Sequence, residues 1–313
     1  MSRSTRSAPP VLLLAFNRPE PTRRVLDALQ RGGLSRLYVS LDGPREGRPE
    51  EAARCAEVHD LVQGDTWAKE IVVRRSERNY GCKDGVTAGL DWFFDQEPEG
   101  VILEDDCLPG DDFLLFCSHV LERYRDDQRV WQVSGTNLLG SWRAGRSDYF
   151  FGDGSIWGWA SWRRAWQQRD MSMQTWDDPV ARDSARRFLG PIGWRALADN
   201  YAAVAAGNID TWDYQWSWTR ASSGGLSVIP ARNLITNIGF GPDATHTVRS
   251  RWPANLDPAP LPPPFSGPDT VTFDRGYQAV LAARTEGVST IRSIGSRVLR
   301  RTVGRKAWER LRP

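Results

Sequence analysis

VILEDDCLPGDDF, residues 101–113, decides how the fold reads. It opens as an apolar run of strand length and then places three carboxylates side by side, Glu104, Asp105 and Asp106. Adjacent carboxylates at the end of a buried strand repel one another unless a cation neutralises them. Hard divalent cations take oxygen ligands, and Mg²⁺ commonly combines one or two carboxylates with substrate phosphates. The plain alternative is a solvated acidic loop. Asp111 and Asp112, further along, are better read as capping the next helix.

Outward from that strand, the first 135 residues alternate strand and helix patterns. VLLLAF (11–16), LYVSL (37–41), EIVVRR (70–75), GVILE (100–104) and VWQVSG (130–135) are apolar runs of strand length. Between them lie helical patterns at PEPTRRVLDALQRGG, PEEAARCAEVHDLV, Lys83 to Phe94 and 111–124. Such alternation implies an α/β fold with a mostly parallel sheet covered by helices on both faces. Ligands in such sheets sit beyond the carboxyl ends of the strands. Those ends carry Asn17-Arg18, Asp42-Gly43, Ser76 to Gly81, and the three acids.

Beyond residue 140 the pattern becomes irregular and rich in tryptophan, with helical stretches near 178–189 and 193–206. Most of the tryptophans read as core, with Trp162 and Trp166, and Trp212 and Trp216, at helical spacing. Trp157, among glycines, is the better candidate for substrate contact. The expected division is a domain over 1–252 in two halves, 10–135 and 136–252. A proline-rich linker (253–273) and a basic amphipathic helix or tail (274–313) follow.

A net charge of +2 speaks against nucleic-acid binding by bulk electrostatics. The four cysteines, Cys55, Cys82, Cys107 and Cys117, show no C-x-x-C pairing and suggest a reduced, intracellular protein. No segment approaches the ~20 apolar residues of a membrane span, and VLLLAF is too short for a secretory core. The expectation is a cytoplasmic protein, with the basic tail able to meet the anionic inner face of a membrane.

The order FNRP at a strand end, SLDG, N-x-G opening a helix and a strand ending in E-D-D resembles nucleotide-diphospho-sugar transferases of the GT-A fold. It is most similar to bacterial family-2-like glycosyltransferases and the N-acetylglucosaminyltransferase I group, over roughly residues 10–250. The resemblance implies a Rossmann-like sheet, a metal-dependent transfer from a nucleotide-diphosphate sugar to a glycan or lipid-linked acceptor, and a Mg²⁺ or Mn²⁺ cofactor. It implies that Asp106 binds the metal, with Glu104 and Asp105 beside it. Phe16, Asn17, Arg18 and Asp42 would hold base and ribose. The glycine-rich acceptor loop matches FGDGSIWGWASWRRAW (151–166), hence Trp157 and Gly158. The catalytic aspartate matches Asp213 in TWDYQW, with Asp210 nearby, and a late histidine ligand matches His246. Asn79 and Lys83, at a helix start, suit a phosphate.

A base and a single displacement favour inversion at the anomeric carbon. The processive R/Q-x-x-R-W signature is absent, which argues against a polymer synthase. Two other readings compete. A sugar-nucleotide pyrophosphorylase would share the sheet, but the glycine-rich loop after its first strand is missing from FNRPEP. A non-catalytic sugar-binding module would explain the tryptophans but not E-D-D.

Overall fold

Strands β1 (Val11–Ala15), β2 (Arg36–Leu41), β3 (Glu70–Arg75) and β4 (Glu99–Glu104) pair in the order β3-β2-β1-β4, all parallel. Every residue of β1 is buried, because this strand is covered on both faces and flanked on both edges. The computed structural model describes residues 8–142, 147–239 and 256–284.

Helix α1 (Pro19–Arg31) starts with proline at its first position and stops at Gly32, the asymmetry expected at helix ends. Its Val25, Leu26 and Leu29 are buried against the sheet. Helices α2 (Pro49–Gln63) and α3 (Gly81–Gln96) make the next crossovers. The short β5 (Cys107–Pro109) follows β4. Helix α4 (Phe113–Arg123) buries Phe113, Phe116, Cys117 and Val120. Asp112 stands at its N-cap position but does not cap it; the carboxylate instead accepts from the Leu261 N–H at 2.8 Å.

The sheet continues past β4 in a mixed manner. Its further strands are β6 (Val130–Ser134), β7 (Tyr149–Gly152), β8 (Trp159–Trp162) and β9 (Leu226–Pro230), and the full order is β3-β2-β1-β4-β8-β6-β9-β7. β8 is antiparallel to both β4 and β6, and β7 is antiparallel to β9. The architecture is therefore the expected mixed, mostly parallel sheet flanked by helices. A separate pair, β10 (Ile235–Asn237) with β5, lies beside the end of β4.

Trp162 ends β8, so the expected helical spacing fails for Trp162 and Trp166, whereas Trp212 stands at the N-cap of α7 (Asp213–Ser223) and its carbonyl accepts from the Trp216 N–H at 3.1 Å, one helical turn on. They are core nonetheless. Trp159, Trp166, Trp212 and Trp216 share one buried cluster, and the Trp216 indole N–H donates to Gln132 Oε1 at 2.8 Å. After the single turn of α5 (Arg163–Trp166), α6 (Pro179–Ala205) joins both expected helical stretches across a break at Gly190 (φ 71°, ψ 172°) and Pro191.

The described part of the expected linker does not stand free. Ala259 N–H donates to Asn233 O and Leu261 is 5% exposed. The helical stretch over 275–284 is also anchored, since Tyr277 and Leu281 are buried in a small apolar cluster with Phe150 and Ile229. Among the described residues, no helix is long and apolar enough to cross a membrane.

Candidate functional site

The chain leaves β1 to one side, through β2 and β3, and returns on the other side as β4. The gap between the ends of β1 and β4 is thus a topological switch point, where open α/β sheets bind ligands. A cleft of about 470 Å³ opens there, within the roughly 300–1,000 Å³ of small-molecule sites.

Of the residues expected at the site, Phe16, Arg18, Asp42, Asn79, Glu104, Asp105, Asp106 and Trp157 line this cleft. Asn17, Lys83, Gly158 and Asp213 do not. His246 lies outside the described residues, as does the tail from residue 285. Gly158 is buried at φ +60°, and a Cβ there would come within 2.5 Å of Ile235. It is a packing glycine beneath Trp157, whose own carbonyl accepts from Thr136 Oγ1 at 2.6 Å.

Two of the three acids, Asp105 and Asp106, are held by one cation. A single Arg18 nitrogen, Nη2, donates to Asp105 Oδ1 and lies 2.9 Å from Asp106 Oδ2. The other Asp105 oxygen, Oδ2, is buried without a hydrogen-bond partner. Burial pushes the Asp105 carboxyl up to about 6, with Arg18 opposing the shift. Burial first, then the charges of Asp106 and Asp105, push Glu104 up to about 8. The cluster thus carries more negative charge than the chain compensates.

The donor set is all oxygen, which suits a hard divalent cation, and the orphaned Asp105 oxygen is the kind of atom such an ion would satisfy. Among the described residues, no group of three or more His, Cys, Asp or Glu side chains forms a metal-binding set.

At the β2 end, Asp42 accepts from Asn79 Nδ2 at 2.9 Å and from the Tyr80 and Gly43 N–H groups. Burial raises its carboxyl despite these donors. This knot ties the β2 loop to the start of α3 and presents a fixed acceptor to the cleft.

Lining residues outside the expected set include Arg45, Arg74, Cys82 and Asn237. Arg45 is clamped by Glu51, a nearly fully buried carboxylate on α2. Arg74 donates to Ser40 Oγ at 3.3 Å. Arg74 stands at the end of the parallel strand β3, which is the signal that could have found it. Asp210 also lines the cleft, and it sits in the loop before α7 rather than one helical turn from Asp213. Asp213 opens α7 and accepts from Thr211 Oγ1. It is near enough to add to the Glu104 shift.

No family model matches the chain, and no curated protein matches it. Among solved structures, the apo WbbM bifunctional glycosyltransferase aligns over 72% of this chain at 9% identity and a TM-score of 0.32. The chain spans only 39% of that protein's length. The apo form of mouse xyloside xylosyltransferase 1 aligns over 69% of this chain and 81% of its own, at 12% identity and a TM-score of 0.29. Likeness at this level carries no argument about activity, which rests on the cleft itself.

Proposed function

We propose that this chain is a glycosyltransferase that moves a sugar from a nucleotide-diphosphate donor to an acceptor hydroxyl, with a divalent metal and inversion. The observation that carries the reading is the carboxylate cluster at the switch point, only partly compensated by Arg18, with a buried Asp105 oxygen left over. A metal–diphosphate supplies both the missing positive charge and the missing ligands for such a cluster.

Asp106, with Asp105 behind it, would hold Mg²⁺ or Mn²⁺. When bound, the metal supplies Lewis-acid stabilisation of the departing diphosphate, a contribution of several kcal/mol. His246 remains its proposed late ligand. Asp42 and Asn79 would orient ribose or base, and the ring of Phe16 offers a flat apolar wall. Arg45 and Arg74 supply positive charge to the same cleft. Trp157 would cover the sugar and exclude water, which keeps the donor from hydrolysis.

Removal of the acceptor proton needs a carboxylate on the cleft. Asp210 meets that requirement, whereas Asp213 stands behind it. We therefore assign the base to Asp210, with Asp213 holding the loop through Thr211. The basic tail (289–313) is proposed to rest on an anionic membrane face, which would suit a lipid-linked acceptor.

The test is a panel of sugar nucleotides incubated with the chain, Mg²⁺ or Mn²⁺ and a panel of glycan and lipid-linked acceptors, followed by mass spectrometry of the nucleotide and the glycosylated product. Metal-dependent release of free nucleoside diphosphate from one donor is the expected result. Formation of nucleoside triphosphate from added diphosphate would mark a pyrophosphorylase. Binding without turnover of any donor would mark a sugar-binding module.

A further inference from the structure

Arg18 has a chemical position that donor binding alone does not explain. Its backbone is fixed, because its carbonyl accepts from both the Thr22 N–H at 3.1 Å and Thr22 Oγ1 at 2.7 Å at the start of α1. Only its side chain can move without disturbing the helix. Nη2 engages Asp105 Oδ1 and Asp106 Oδ2 together. Among the described residues, Nε and Nη1 donate to no acceptor. Two donors of a rigid fork thus stand unused on the wall of a cleft.

The oxygens of the acids are accounted for one by one. Asp106 Oδ1 takes a weak contact from its neighbour Cys107 Sγ at 3.5 Å. Asp106 Oδ2 is held by Arg18 and is also walled in by the chain after β10. A Cβ added at Gly239 would fall 2.1 Å from it, and Ile238 N–H donates to the Asp106 carbonyl at 2.8 Å. Asp105 Oδ1 belongs to Arg18, and Oδ2 is buried. A dication that takes Asp106 Oδ2 competes there with the guanidinium, since two cations on one oxygen repel.

We infer that Arg18 is a resident counter-ion, which occupies the Asp105–Asp106 pair until a metal–diphosphate arrives and then transfers its guanidinium to the diphosphate. This rests on the proposed metal–diphosphate reading of the cleft. Two consequences follow. Metal without diphosphate binds weakly, because it displaces Arg18 with nothing to receive the freed fork. Metal and diphosphate bind with positive coupling, because the anion accepts from the arginine that the metal releases. Coupling of this kind is reciprocal between the two ligands.

The probe is Mn²⁺ alone, measured on the full chain by electron paramagnetic resonance in the wild type and in Arg18→Met, Arg18→Lys and Asp106→Ala. Arg18→Met is expected to bind Mn²⁺ at least about fivefold more tightly than the wild type, the lower end of ordinary coupling. Arg18→Lys keeps a cation and should stay near wild type. Equilibrium dialysis at fixed free Mn²⁺ adds a second readout: inorganic pyrophosphate should raise Mn²⁺ retention more in the wild type than in Arg18→Met. Thermal unfolding guards against a folding defect, and Mn²⁺ should raise the midpoint of Arg18→Met by more than that of the wild type.

If Arg18→Met binds Mn²⁺ no more tightly than the wild type while Asp106→Ala loses it, the counter-ion role is wrong and the metal reading stands. If Asp106→Ala retains wild-type Mn²⁺ binding, the metal reading falls and the counter-ion role with it.

Discussion

Glu104 shows what three adjacent acids do to a fold at the scale of one residue. Its folded carboxyl titrates near 8 against an ordinary 4.5, through burial first and then Asp106 and Asp105. The folded state therefore binds its proton more tightly than the unfolded state. Stability falls as pH rises from 4.5 through about 8. Glu104→Gln removes that dependence. In chelator, the variant should be more stable than the parent, with a gap that widens across this window in urea unfolding. A gap that stays constant or narrows would contradict the account. The base assignment is tested the same way, by single substitution. Asp210→Asn should lower kcat by at least about 10²-fold with donor affinity nearly intact. Asp213→Asn should act more weakly, and the reverse order would return the base to Asp213. At this scale the acids, Arg18 and Asp42 were legible in the sequence because each directly follows an apolar run. Arg45, in the loop after β2, and Asn237, at the end of β10, were not, because their directions depend on partners such as Glu51 and β5 that lie outside their own stretches.

At the scale of elements, α7 ties the loop after β7 to the sheet. Arg220, 1% exposed, donates to Asp153 Oδ1 and Ser227 Oγ at 2.8 and 2.7 Å. It anchors the loop that leads to Trp157. Removing one partner of a buried pair strands the other charge, at a cost of about 3–5 kcal/mol. Arg220→Ala should lose about that much in denaturant unfolding, and a loss under about 1 kcal/mol, the range of exposed pairs, would contradict the role. The parallel strands β1, β2 and β4 were legible because burial on both faces makes them nearly unbroken apolar runs. β7 and β8 were not. FGDGSIWGWASW reads as loop by its glycines, and only the antiparallel pairing of β8 between β4 and β6 makes a strand of WASW.

For the whole molecule, the first 135 residues declared a layered sheet by alternation alone, whereas the second half enters the sheet out of sequence order and leaves no such pattern. The tail's proposed membrane contact is tested by co-sedimentation with anionic and neutral vesicles. The truncation belongs after Arg284, since a cut at Phe273 would strip the buried Tyr277 and Leu281 from the body. Loss of anionic-vesicle binding in the truncated chain, and in the full chain at high salt, is expected; equal pelleting of both chains would exclude the anchor. The central claim concerns the cleft between β1 and β4, and the most direct measurement is single-turnover release of nucleoside diphosphate from the donor, in the presence of the acceptor, found in the panel. The account predicts Mn²⁺-dependent release by the wild type and none above background by a folded Asp106→Ala. Release at the wild-type rate by that variant, or release by the wild type in excess chelator, would contradict it.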